Sequence, residues 1–84
     1  MNKVIVIENL PIGKGSLEIT ELLSPLGTVN WVYLQGDESA KSRSAVVEMG
    51  SEKEAVRVIV KWNGAEWEEK ILRVKYIDAT FNPK

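Results

Sequence analysis

Apolar residues along this chain fall into blocks that alternate between two periods. The first block, Lys3 to Leu10, carries Val4, Ile5, Val6 and Ile7 in succession. Such a β-branched run predicts a strand buried on both faces or nearly so. Asn9-Leu10-Pro11 ends it, because proline cannot continue a ladder. Gly13, Lys14 and Gly15 read as a flexible connector. The second block changes period: Ile19, Leu22, Leu23 and Leu26 share one helical face. Ser16 is placed as its N-cap, with Glu18 in the first turn. Pro25 and Gly27 stop the helix.

The period then returns to two. From Thr28 to Gln35, Asn30, Val32 and Leu34 take one face, and Trp31, Tyr33 and Gln35 the other. Residues 36–42 are polar and read as a loop. From Arg43 to Met49, Ala45, Val47 and Met49 point inward, and Ser44, Val46 and Glu48 outward. A second helix follows Gly50. Ser51 and Glu54 have capping-box spacing, and Ala55, Val58, Ile59 and Trp62 form the inward stripe. Asn63-Gly64 ends the helix. Ala65 to Lys70 reads as a charged connector holding Trp67. In the last strand, Ile71 to Ile77, Leu72, Val74 and Tyr76 face inward, and Arg73, Lys75 and Ile77 outward. Residues 79–84 form a short tail containing Phe81.

The predicted order is β-α-β-β-α-β. With right-handed crossovers it gives an α+β, ferredoxin-like sandwich. Two helices cover one face of a four-stranded antiparallel sheet and leave the other face open. Residues 1–84 are expected to form a single domain.

Composition narrows the chemistry. Hydrophobic residues make up 44% and charged residues 27%, a balance that favours a folded domain over disorder. The sequence holds no cysteine and no histidine. That excludes disulfides, zinc sites of the Cys/His kind and His- or Cys-based catalysis. No cofactor is expected. No apolar run is long enough to span a membrane, and the first residues lack the pattern of a signal peptide. An intracellular monomer is the expectation, with nuclear and cytoplasmic placement both open. Eleven basic residues against 12 acidic ones exert no global pull on nucleic acid. Any such binding has to come from a local patch and from stacking.

Several stretches, in order and spacing, resemble the RNA recognition motif family over nearly the whole chain. Ile7-Glu8-Asn9-Leu10-Pro11 is similar to the end of the family's first-strand hexamer. Ile19, Leu22-Leu23 and Leu26-Gly27 resemble its first-helix pattern, and Ala45-Val46-Val47-Glu48-Met49 the second half of its third-strand octamer. Ala55, Val58-Ile59 and Trp62-Asn63-Gly64 resemble its second-helix ending, and Leu72-Arg73-Val74-Lys75-Tyr76 its last strand. The resemblance implies binding of single-stranded RNA on the open sheet face.

The chain departs from the family at its stacking positions. The family's octamer places aromatics where bases stack. Here Ser44 and Val46 stand at those two positions, and Val6 at the third, on the first strand. The octamer's basic and glycine positions fall on Ser42 and Arg43. Each stacked base contributes roughly 1–3 kcal/mol, so the usual source of affinity is missing. Candidate compensation comes from Trp31 and Tyr33, from the cations Arg43, Arg73 and Lys75, from Ile77 and from Phe81. Glu8 and Glu48 share that face and work against it.

Two functions therefore stand side by side. One is weak recognition of short single-stranded RNA through Val6, Trp31, Tyr33, Arg43, Ser44, Val46, Arg73, Lys75, Ile77 and Phe81. The other is protein–protein contact through the helices or the apolar sheet face, with Val56, Val60 and Trp67 as candidates. Trp67 resembles the aromatic of an Arg-x-Phe loop in a protein-binding variant of the family, without its arginine. A domain with no selected function is a third reading. An acylphosphatase-like enzyme shares the element order. Its phosphate-cradling arginine is absent from Pro11 to Gly15, and Asn30 has the core parity. Nothing assembles a nucleophile, a base and an oxyanion donor, so no enzymatic activity is expected.

Overall fold

The computed structural model describes residues 2–36 and 43–77. Strands β1 (Val4–Glu8), β2 (Val29–Gln35), β3 (Ser44–Met49) and β6 (Arg73–Tyr76) form one antiparallel sheet in the order β2-β3-β1-β6. Helices α1 (Ser16–Leu23) and α2 (Glu52–Trp62) supply its apolar cover. Ile5, Ile7, Ala45, Val47, Met49 and Val74 from the sheet pack with Ile19, Leu23, Ala55 and Val58 from the helices. This is the predicted β-α-β-β-α-β sandwich, and the inward stripes fall where their period placed them except at Asn30 and at Tyr76, which is 41% exposed and outside the core.

Four local readings are corrected. The N-cap of α1 is Gly15, not Ser16, and Glu18 Oε1 accepts the Gly15 N–H at 2.7 Å. The Gly15 N–H first, and the backbone N–H of Glu18 itself second, hold the Glu18 carboxyl below its usual range. A short 3₁₀ turn, Ser24–Leu26, extends the first helix through Pro25.

Asn30 does not face the core. The β2–β3 register slips between Val29 and Trp31, so Val29 pairs with Met49 and Trp31 with Glu48. The extra residue at this bulge is Asn30. Its Nδ2 donates to Glu48 Oε2 at 2.8 Å and to the Met49 carbonyl at 3.3 Å. Val29 takes the place against the core instead.

The connector after α2 is not irregular, and the last strand does not start at Ile71. Strands β4 (Glu66–Trp67) and β5 (Lys70–Ile71) form a hairpin. Its turn residues, Glu68 and Glu69, both have positive φ, 48° and 72°. Two positive φ values in a two-residue turn match the twist of a hairpin.

The N-terminus of α2 follows the predicted pattern in modified form. The Ser51 hydroxyl caps the Glu54 N–H. Glu54, however, does not return to the Ser51 backbone. It accepts from the Ser51 hydroxyl at 2.7 Å and from the Thr28 N–H. At the other end, Asn63 Oδ1 accepts the Val74 N–H at 3.1 Å and ties α2 to β6.

Candidate nucleic-acid interface

Strand register places the outward side chains in three rows across the sheet. The first row runs Trp31, Glu48, Val4. Ile77 continues it, since its N–H donates to the Val4 carbonyl at 3.1 Å. The second row runs Tyr33, Val46, Val6, Lys75, and the third Gln35, Ser44, Glu8, Arg73. Both aromatics therefore stand on one edge strand, and the cations Lys75 and Arg73 on the opposite edge. The face is aromatic and apolar at one corner and polar at the other.

Three sequence-predicted residues change role. Val46 is fully buried and Val6 is 6% exposed, yet neither belongs to the core under the helices. A valine rises little above the pleat, and longer side chains stand directly across from both and diagonal to them. The two valines floor the face rather than offering an apolar patch. Arg43 is 8% exposed and shares the inward parity of Ala45. Its guanidinium donates to the Lys14 carbonyl at 3.3 Å. It is a buried brace for the β1–α1 loop, not a cation on the sheet face. Phe81 lies outside the described residues.

The other candidates sit where expected. Tyr33 is 41% exposed. Trp31, Ser44 and Ile77 are half-buried, and Arg73 is exposed. The Lys75 Nζ lies 3.7 Å from Glu8 Oε1 in an exposed pair, the kind that contributes little to stability. Arg73 forms no ion pair among the described residues.

Away from this face, Val56 and Val60 stand out from α2, 42% and 76% exposed. Trp67 does not project as a docking residue. It packs against the core, and the Lys14 Nζ sits 5.6 Å above its ring and 2.6 Å from Glu68 Oε2.

The sequence reading missed one feature. Glu8, Asn9, Ser44 and Arg73 line an open cleft of about 400 Å³ at the polar corner. Asn9 adopts φ 70° and its Nδ2 donates to the Ile71 carbonyl at 2.9 Å, which ties one wall of the cleft to the hairpin. The outward parity of Glu8 was visible in the sequence, but the turn that brings Asn9 beside it was not. Among the described residues no group of three or more metal-ligating side chains is found, and no helix is long and apolar enough to cross a membrane.

No family model and no curated protein matches this chain. Solved structures do. The third RNA recognition motif of Pes4 superposes with a TM-score of 0.85, at 22% identity, over 95% of this chain and 96% of that one. The third motif of Hrb1 gives 0.80 at 28% identity, over 89% and 76%. The Rna15 motif with bound GU RNA gives 0.82 at 17% identity, over 98% and 89%. This is a domain of the RNA recognition motif type. On its open face valine and serine stand on the two central strands, at Val6, Val46 and Ser44, and the aromatics stand on β2.

Proposed function

We propose that this RNA recognition motif binds short single-stranded RNA weakly across its open sheet face. The observation that carries the reading is the placement of Trp31 and Tyr33 on one edge and Arg73 and Lys75 on the other. Aromatic platforms with flanking cations are what single-stranded RNA requires. The bound RNA in the Rna15 motif supports the same class of partner. Weakness follows from the loss of three stacking aromatics and from the balance of charge. The role is binding rather than catalysis. Fluorescence anisotropy with a labelled uridine-rich pentamer tests it: Lys75→Glu should weaken binding, most visibly at low salt. Equal binding by wild type and variant counts against the reading.

A second reading, protein docking on the outer face of α2, is favoured by one observation. Val56 and Val60 are exposed there four residues apart, beside Lys53 and Arg57. Val56→Lys with Val60→Lys should abolish capture of any partner that docks on this helix. Unchanged capture would clear the face.

A further inference from the structure

We propose that Glu8 and Arg73 form a base-reading clamp selective for guanine. The inference rests on the reading of this sheet face as an RNA site, and it adds which base the cleft takes. It also reverses the role of Glu8, which on charge alone only repels phosphate.

The two residues are direct cross-strand partners on β1 and β6, and both line the polar cleft. Opposite charges so placed ordinarily pair with one another. Here the Glu8 carboxylate instead leans toward Lys75, at 3.7 Å, and the Arg73 guanidinium has no ion-pair partner among the described residues. The cleft thus presents a carboxylate acceptor and a guanidinium donor side by side. Ser44 flanks Glu8 on the other side and contributes a hydroxyl.

The Watson–Crick edges of the four bases differ in what they present to such a pair. Guanine offers two adjacent donors, the N2 amino group and N1–H, and then the O6 acceptor. The two oxygens of Glu8 accept both donors, and Arg73 donates to O6. Adenine offers one amino donor and then the bare N1 acceptor, which faces a carboxylate oxygen. Cytosine likewise offers one donor followed by acceptors. Uracil offers a single N3–H between two carbonyls. Each of these three leaves a carboxylate oxygen against a lone pair. Bases splayed from a single strand expose these edges to side chains. The charge of Glu8 does not repel the strand as a whole, because Arg73 stands directly across from it on β6 and Lys75 diagonally.

The test uses the 84-residue chain and uridine pentamers whose central base is guanine, inosine, adenine or uracil. Inosine differs from guanine only by the missing N2 amino group. Affinity is read by anisotropy and location by amide shifts on the sheet. The clamp predicts that guanine binds about tenfold more tightly than inosine or adenine, the worth of one hydrogen bond to a charged group. Glu8→Gln should bind the guanine and inosine pentamers equally, and Arg73→Gln should narrow the gap between guanine and adenine. Both side chains are on the surface, and a dispersed amide spectrum verifies that each variant folds. If wild type binds all four pentamers equally, the clamp is wrong while the RNA reading stands. If guanine preference survives in both variants, the preference lies elsewhere and the clamp is again wrong. If no pentamer moves any sheet amide, the RNA reading itself falls and the clamp falls with it.

Discussion

Glu54, on the first turn of α2, accepts a hydrogen bond from the backbone N–H of Thr28, at the mouth of β2. The same carboxylate accepts from the Ser51 hydroxyl. One side chain thus joins a helix cap to the sheet across 26 residues of sequence. The Ser51 hydroxyl first, and the Thr28 N–H second, hold the Glu54 carboxyl below its usual range. The sign follows from linkage: a carboxyl with a depressed folded pKa stabilises fully above the ordinary carboxylate range. That contribution is lost as pH falls through the range and below the folded value. Glu54→Gln should therefore lower Tm at neutral pH, and the gap to wild type should narrow as acid is added. A gap independent of pH would show that the charge of Glu54 plays no part.

Gly27 is the residue that makes room for this carboxylate. A Cβ built at position 27 would overlap the Glu54 side chain at its Oε1 and Cγ. Gly27→Ala has to displace the Glu54 side chain from this position, so it should lower stability. Chemical denaturation measures this. In the Glu54→Ala background the same change should cost less, because nothing is left to displace.

Asn63 accepts the Val74 N–H, a donor on β6. Asn63→Ala removes the acceptor and leaves that amide without a partner, at a cost of about 1–3 kcal/mol. Hydrogen exchange should report it locally: the Val74 amide loses protection before the amides of β1 and β3 do.

Arg43 and Arg73 separate structure from binding. Arg43 is buried, and its Nε has no hydrogen-bond partner among the described residues. Arg43→Met keeps the stem and removes a buried charge, so stability should stay within about 1 kcal/mol of wild type. RNA affinity should not change. Arg73→Met should weaken RNA several-fold and flatten its salt dependence, with little effect on Tm. The opposite pattern would return Arg43 to the interface.

The contrast also marks how far the sequence could be read. Element order, both helix stripes and the inward residues of β1 and β3, with Val32, Leu34 and Val74 on the edge strands, followed from periodicity alone, because burial imposes it; Tyr76, read as inward, is exposed where the edge strand runs past the helices. Arg43 was readable too: it has the parity of Ala45, and parity outranks the expectation that arginine is exposed. Asn30 was not readable. Strict alternation assigned it to the core, and only the register slip at Val29 and Trp31 turns it out. The hairpin after α2 was hidden because Glu68 and Glu69 take the two positive-φ positions where asparagine and glycine are the usual signal. The cleft at Glu8 depends on a turn at Asn9 and a tie to Ile71 62 residues away, which no local pattern encodes.

RNA is expected to bind on the open sheet face. The direct measurement is an amide-shift titration of the domain with short single-stranded RNA at low salt, on wild type and on Trp31→Ala and Tyr33→Ala. Shifts should cluster on Trp31, Tyr33, Ser44, Arg73 and Lys75. Each alanine variant should lose affinity by roughly the 1–3 kcal/mol of one stacked base. A spectrum unmoved at millimolar RNA, or shifts confined to Val56 and Val60 on α2, would contradict it.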